Sequence, residues 1–464
     1  MAENIIKQDD HIRQEEINIE FFSKQWEEEC FNIGCQKARD EAVKMLTQIE
    51  QKLHECRDKC WKVVGFREKT LLTRFGEITI QRRLYKNNGE YCFLLDDYMK
   101  WRPNQSATPS LTEALVDSAT KLSFRKVSKE VEKYTAGVIS ASTVHCLLTR
   151  VTQDAICEEA NQHDSWYEDG VIPPPGERKV SILYMEADGL WVRLQREDKE
   201  HYELKSAIAY EGWERHEDDS YSLLNKNVYC HCDDSIPFWQ SAGIHFDKYW
   251  DLGSVNLIVL GGDDANWINA GESEMGYCVR QLDGFHLLRS CCKGWEKGVE
   301  IYSCIRDGDK ADIAKVLGNV KERPGKTSEK ERKHVLGCLE RGIDWRKKVL
   351  IEIPEGARGL GTMEGNESNL FADRMKDRGM SWTIKGSQRM GKAIELSRNG
   401  ELNNYVGLRS SLDRIEKQTL SFDLFSYKDV YTEQASMPSL HSQHASRPWV
   451  RALRELTTLN YLLN

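Results

Sequence analysis

Three carboxylates in this chain stand where carboxylates can hold metal ions. Asp188 closes the apolar run Ser181-Ile182-Leu183-Tyr184-Met185 in MEADGLWVRL, and Asp263 closes the run Val255–Leu260 in LGGDDANWI. Glu364 opens a helix-like stretch, GTMEGNESNLFADRMKDRGMSW. Hard divalent cations such as Mg²⁺ or Mn²⁺ take oxygen ligands and are held by a few carboxylates together with phosphate oxygens. Two such ions clamp the attacking and leaving oxygens of an in-line displacement at phosphorus. Two strand-end aspartates followed by a helix-borne glutamate are a layout that polynucleotidyl transferases use for this purpose. A chain with 74 acidic residues also places carboxylates near strand ends by chance, so spacing alone leaves both explanations open. Rivals stand close by: Glu367 is one helical turn from Glu364, and Glu186 shares the strand face of Asp188. Asp264 would point away from Asp263 if the strand persists that far.

The composition bounds the setting. A chain of 464 residues predicts two or three domains, and 40% hydrophobic with 30% charged residues fits a soluble globular protein. No apolar run approaches the roughly 18–20 residues needed to span a bilayer. The acidic, polar start MAENIIKQDDHIRQEE is unlike a signal peptide. The fourteen cysteines are therefore expected as reduced thiols of a cytoplasmic protein. Cys56 with Cys60, and the Cys230-His231-Cys232 cluster, have zinc-like spacing but no second ligand pair, so they support zinc weakly. A net charge of −9 means that any nucleic-acid contact must use local basic patches and metal-bridged phosphates.

These carboxylates need elements to carry them. Residues 1–65 read as a helical arm, with apolar positions at helical spacing from Ile17 to Leu53 that suit a dimerising arm or a simple cap. Residues 66–105 read as a β-hairpin region around Asn87-Asn88-Gly89, where Arg82, Arg83 and Lys86 could line DNA or a solvated face. Residues 106–170 read as a helix-turn-helix. One helix opens near Ser123, Gly137 breaks it, and Ser140-Ala141-Ser142-Thr143 caps the second. Arg125, Lys126 and Lys129 are its candidate phosphate contacts.

After the linker Ile172-Pro173-Pro174-Pro175-Gly176, strand-like segments at about 179–186, 189–197, 202–211, 255–262 and 277–282 predict a mixed α/β sheet with helices on its faces. This core spans 177–430 and is interrupted at about 287–350 by a basic, all-helical insertion of two or three helices. Residues 431–464 form a closing tail with a helix near 447–454.

The motif set MEADGLWV, GGDDANWI, LDGFHLLR and MEGNESNLFADRMKDRGMSW resembles the bacterial insertion-sequence transposases of the ISLre type. These are often described as an uncharacterised protein family and are similar to Mutator-like Asp-Asp-Glu transposases. The resemblance covers nearly the whole chain, including LLDDYM and SFRKVSKEV. It implies a ribonuclease H-like core holding two Mg²⁺ (or Mn²⁺) ions, with Asp188, Asp263 and Glu364 as ligands. Asp283 and His286 match an Asp-x-x-His element carried between the second aspartate and the glutamate, and are counted with the catalytic set. One position departs from the pattern, since Asp264 stands where members carry glycine.

The activity implied is cleavage of insertion-element ends and their joining to target DNA. Double-stranded DNA would be the partner, a homo-oligomer would assemble on it, and no membrane is involved. An inactive, transposase-derived DNA-binding protein is the alternative. A glycoside hydrolase with paired carboxylates would leave the helix-turn-helix and the basic insertion unexplained.

Overall fold

The computed structural model describes residues 19–341, Leu360 and 371–406, apart from 134, 136, 219, 308, 309, 377 and 378. Glu364, Glu367, the upper end of the insertion and the closing tail lie outside the described residues.

The N-terminal stretch is one 38-residue helix, α1 (Ile19–Cys56). Its second half packs Ala42, Leu46, Ile49 and Leu53 on a three-stranded antiparallel sheet of β1 (Lys62–Thr73), β2 (Gly76–Asn87) and β3 (Glu90–Cys92). The long hairpin turns at Arg74-Phe75, where Thr73 pairs with Gly76. Asn87-Asn88-Gly89 closes only the short β2–β3 return, with Asn88 and Gly89 both at positive φ. β1 begins inside the stretch expected to be helical. Its outer half is exposed on both faces, so it carries no alternation to betray it. Arg82 is buried and pairs with Asp96 of α2 (Leu94–Tyr98), and Arg83 pairs with Glu50 of α1 at 3.7 Å. Both arginines are thus engaged by carboxylates of the protein itself.

Helices α3 (Pro109–Lys121), α4 (Phe124–Glu132) and α5 (Ala141–Tyr167) follow. Pro109 starts α3 where a missing N–H costs nothing. Ser123 Oγ accepts from Lys126 N to cap α4, and Ser140 Oγ accepts from Thr143 N to cap α5. The two helices expected on either side of Gly137 within 106–170 are present, and the second, α5, runs to Tyr167. Its buried side (Val144, Leu147, Leu148, Val151) belongs to the same hydrophobic cluster as one face of the central sheet.

That sheet is built from β4 (Ile182–Arg193), β5 (His201–Tyr210), β8 (Asn227–Cys230), β9 (Leu257–Gly262) and β10 (Cys278–Leu282), in the order β10-β9-β4-β5-β8. β5 runs antiparallel to both β4 and β8, whereas β9 is parallel to β4 and β10 is parallel to β9. A small ribbon of β6 (Gly212–Arg215) and β7 (Tyr221–Leu224) leads into β8. The segments expected at 179–186 and 189–197 are one strand. Asp188 therefore sits within β4 rather than at its end, because Leu190 and Val192 continue the buried alternation begun by Tyr184. Gly189 does not break the strand. The Glu203 side chain lies across it, and a Cβ there would fall 2.2 Å from Glu203 Oε1.

The two sheet faces are covered differently. Leu183, Met185, Ala187, Ile258 and Leu260 pack against α6 (Phe238–Asp247) and the short helices α7 (Asn266–Asn269) and α8 (Gly271–Glu274). Tyr184, Leu190, Val192, Leu204 and Val259 face the cluster that includes α3, α5 and α13 (Ile384–Arg398). In α13 the fully buried Lys392 donates to Glu159 of α5 at 2.5 Å and to Glu395 at 2.7 Å, so the burial of one cation is offset by two carboxylates. Between β10 and the later elements, α9 (Gly284–Gly294), α10 (Gly298–Asp307), α11 (Lys310–Asn319) and α12 (Lys326–Arg341) form a helical insertion. It has its own core of Cys291, Trp295, Ile301, Ile305, Ile313 and Val335, with one helix more than the spacing suggested.

Candidate metal centre

Register brings the acidic residues together. β4 and β9 pair from Ile182 with Leu257 to Glu186 with Gly261, so two further steps bring Asp188 level with Asp263. β9 and β10 pair as far as Gly262 with Leu282, and Asp283 N continues the ladder to Gly262 O at 2.9 Å. One step more sets Asp283 level with Asp263. Asp188 thus lies within β4, while Asp263 and Asp283 directly follow the neighbouring parallel strands β9 and β10 and complete a row at that end of the sheet, where strands are spaced by about 4.8 Å. By alternation Asp188 points to the same face as Leu190 and Val192, the face covered by α13. Asp188 and Asp263 are both partly exposed.

Close approach here depends on glycine. Gly262 has φ +152, and a Cβ on it would lie 2.6 Å from Ala187 O, the carbonyl just before Asp188. The chain then turns out of the sheet, with Asp263 Oδ1 accepting from Ala265 N at 2.9 Å. The buried Arg280 of β10 holds this turn by donating to Asp263 O at 2.7 Å and to Leu260 O at 2.9 Å. Asp188 Oδ1 accepts from Gly189 N at 2.7 Å.

Asp283 caps α9, its carboxylate accepting from His286 N at 3.1 Å and lying 2.9 Å from His286 Nδ1. Burial pushes the Asp283 carboxyl up, but the two bonds from His286 outweigh it and hold its pKa below the ordinary range. The bond to Asp283 raises the His286 pKa against its burial, and the charges of Asp283, Asp188 and Asp263 raise it further. Glu203 is a neighbour that spacing did not single out. Burial raises its pKa, and Asp263 and Asp188 add to the rise against Trp267 and Lys205. Only the β4–β5 register, which pairs Glu203 with Trp191, places it here. Arg280 was equally unmarked, although an arginine within the otherwise apolar Tyr277-Cys278-Val279 run was a signal.

The rivals separate. Glu186 is buried and accepts from Tyr210 OH at 2.6 Å. Asp264 reaches the insertion, with Oδ2 at 3.4 Å from His334 Nδ1. Glu364 and Glu367 lie outside the described residues. Of their flanks, Leu360 is fixed by both of its backbone groups to the Gln281 side chain, at 3.0 and 3.1 Å, and Phe371 packs in the cluster under the Asp188 face. The cysteine spacings do not assemble a zinc site among the described residues. Cys232 Sγ donates to Cys230 O and Gln388 O, and His231 faces Tyr229 OH, with burial pushing its pKa down to about 4. Cys56 and Cys60 are exposed. On α4, Arg125, Lys126 and Lys129 are all exposed, and no ion pair to a described residue is formed by any of them. Lys121 and Lys133 instead pair along their own segments with Asp117 and Glu130.

Residues 20–410 match the uncharacterised protein family UPF0236. The chain belongs to that family. A UPF0236 protein of Streptococcus gallolyticus, described as lying in the vanSb 3′ region, is 24% identical over 375 residues, covering 74% of this chain and 76% of the relative. A UPF0236 protein of Caldanaerobacter subterraneus subsp. tengcongensis is 26% identical over 357 residues, covering 74% and 70%. Among solved structures, a Drosophila P element transposase strand transfer complex aligns at 11% identity over 66% of this chain and 85% of that one. Its TM-score is 0.21, too low to speak for a shared fold. No helix among the described residues is long and apolar enough to cross a membrane.

Proposed function

We propose that this UPF0236 protein is an Asp-Asp-Glu transposase, similar to the ISLre-type enzymes, that cleaves insertion-element ends and joins them to target DNA. The observation that carries the proposal is the placement of Asp188 within β4 and of Asp263 directly after the adjoining parallel strand β9. It stands in a sheet of three antiparallel strands followed by two parallel ones, the arrangement expected of a ribonuclease H-like core. The repeated occurrence of a relative supports it from outside. The Caldanaerobacter protein goes under a name that joins eleven locus labels of one genome, as a self-copying element would.

The residues suit hard divalent cations, since the row offers carboxylate oxygens and its negative field already raises the pKa of His286. Two bound Mg²⁺ or Mn²⁺ ions would activate the attacking water or 3′-OH and stabilise the leaving oxygen. Asp188 and Asp263 would hold such ions, and because each is anchored by the backbone of the sheet or of the turn that leaves it, little reorganisation would be needed when the substrate arrives. Glu364 is proposed as the third ligand. The described residues flanking it, Leu360 and Phe371, both belong to the Asp188 face. Asp283 fixes the His286 ring, which orients the row or meets the flanking DNA strand. Arg125, Lys126 and Lys129 of α4 contact DNA phosphates. The exposed Trp26, Phe31 and Ile33 of α1 suit an arm that joins copies on DNA.

The test is to incubate the purified chain with labelled duplexes carrying the boundaries of the DNA that surrounds its gene, in Mg²⁺. The proposal expects nicks with free 3′-OH ends at those boundaries and joined products with a target plasmid. Binding without any cleavage under Mg²⁺ or Mn²⁺ would mean an inactive DNA-binding derivative.

A further inference from the structure

The β9–α7 loop carries a second aspartate that phosphoryl transfer does not use. Asp264 Oδ2 lies 3.4 Å from His334 Nδ1 on α12, and Cys338 Sγ lies 4.0 Å from the same nitrogen. Three ligand atoms, one from each of Asp264, His334 and Cys338, lie within 4.8 Å of one another. His334 and Cys338 are one turn apart on the same face of α12. We propose that these three residues form a zinc site that fastens the helical insertion to the loop following Asp263.

The donor set is the argument for zinc. A thiolate, an imidazole and a carboxylate match the borderline-soft preference of Zn²⁺, whereas Mg²⁺ seeks oxygen alone. Tetrahedral zinc, with Zn–N and Zn–O near 2.0–2.2 Å and Zn–S near 2.3 Å, spaces its ligand atoms by about 3.3–3.6 Å. The distances present need only small side-chain rotations to reach that spacing. On binding, Cys338 gives its thiol proton to solvent and His334 binds as the neutral ring. The thiolate and carboxylate charges then balance the dication.

The carboxylate is already oriented from behind. Asp264 Oδ1 accepts from Asn269 Nδ2 at 2.9 Å, and Asn269 Oδ1 accepts from the buried Arg280 at 3.1 Å. Such outer hydrogen bonds hold a ligand in its binding geometry. Cys338 is 2% exposed, while the side chains of Asp264 and His334 are 13% and 31% exposed. Zinc therefore enters past His334, and water fills the fourth position. Among the described residues, the other cluster with metal-like donors, Glu159 with His245 and Glu395, is occupied by the ammonium of Lys392.

The proposal is independent of the transposase assignment. It is tested by titrating Co²⁺ into the metal-free full chain in excess Mg²⁺, which occupies carboxylate-only sites. One Co²⁺ per chain should bind with a thiolate-to-cobalt charge-transfer band and tetrahedral d–d bands. Cys338→Ser should abolish the charge-transfer band, Asp264→Asn and His334→Gln should weaken binding, and Asn269→Ala should weaken it by about 10–100-fold. Circular dichroism checks that each variant is folded. The proposal is overturned if the parent shows no charge-transfer band, or if the band survives in Cys338→Ser. Should Cys338→Ser fail to fold, unchanged Co²⁺ affinity in folded Asp264→Asn overturns it equally.

Discussion

Replacing Gly262 by alanine tests whether the row of carboxylates depends on close approach of two strands. The position has φ +152, where a residue with a Cβ is strained by about 1–3 kcal/mol. The added carbon would also lie 2.6 Å from Ala187 O and 3.0 Å from Ile268 Cγ2, well inside van der Waals contact. A backbone carbonyl in mid-strand cannot swing aside, so overpacking adds about 1–3 kcal/mol. Together Gly262→Ala should lose about 2–6 kcal/mol, a large part of the roughly 5–15 kcal/mol that a folded domain commands. Gly276→Ala is the control, because Gly276 also has positive φ (+70) but nothing lies within 4 Å of its missing Cβ. Urea unfolding followed by tryptophan fluorescence, with Mn²⁺ affinity measured on the folded fraction, separates strain from clash. Gly262→Ala should be the less stable variant and should bind Mn²⁺ more weakly, because Asp263 is pushed away from Asp188. Equal stability of the two variants with unchanged Mn²⁺ affinity would refute the close-approach argument.

Three further outcomes are expected. Glu364→Gln should eliminate strand transfer and weaken Mn²⁺ binding, whereas Glu367→Gln should cost less than about 1.4 kcal/mol, a factor of ten in rate; the reverse pattern moves the third ligand by one helical turn. Neutralising Arg125, Lys126 and Lys129 together should weaken DNA binding and lower the slope of its salt dependence by about one unit per lost phosphate contact, as read by fluorescence anisotropy. An unchanged slope would assign the contact to another surface. The Asp283–His286 pair should make stability depend on pH from both sides. The raised His286 pKa gives stabilisation that is complete below its ordinary 6.5 and lost as pH rises through the raised value. The lowered Asp283 pKa gives stabilisation present above 3.8 and lost as pH falls through the lowered value. The Tm difference between parent and His286→Gln should therefore be greatest between pH 3.8 and 6.5, and a difference that stays constant into alkaline pH contradicts the pairing.

What the sequence disclosed was mostly periodic or punctuated. The caps at Ser123 and Ser140, the long α1 and the apolar runs that became β5, β9 and β10 were legible because local chemistry decides them. β1 was not, because half of it faces water on both sides. Asp188 looked like the end of a strand because it closes the apolar run that begins at Ser181. The strand runs on because Leu190 and Val192 continue its buried side, and Gly189 leaves room for the Glu203 side chain that crosses it. The level placement of Asp188, Asp263 and Asp283 is a matter of register between segments far apart in the chain, which no local pattern carries. Arg82 shows the converse: a basic residue on an alternating strand looked solvated, yet its partner Asp96 holds it inside. The same blindness to long-range pairing hid the meeting of Asp264 with His334.

The central claim is that Asp188 and Asp263 act together as metal ligands for phosphoryl transfer on DNA. Its most direct test is single-turnover cleavage of a labelled element end in Mg²⁺ by the parent, Asp188→Ala and Asp263→Ala, with DNA affinity measured in parallel. Removing either ligand should cost several kcal/mol of transition-state stabilisation and abolish cleavage, while DNA binding stays close to that of the parent. Cleavage within tenfold of the parent by either variant would contradict the account.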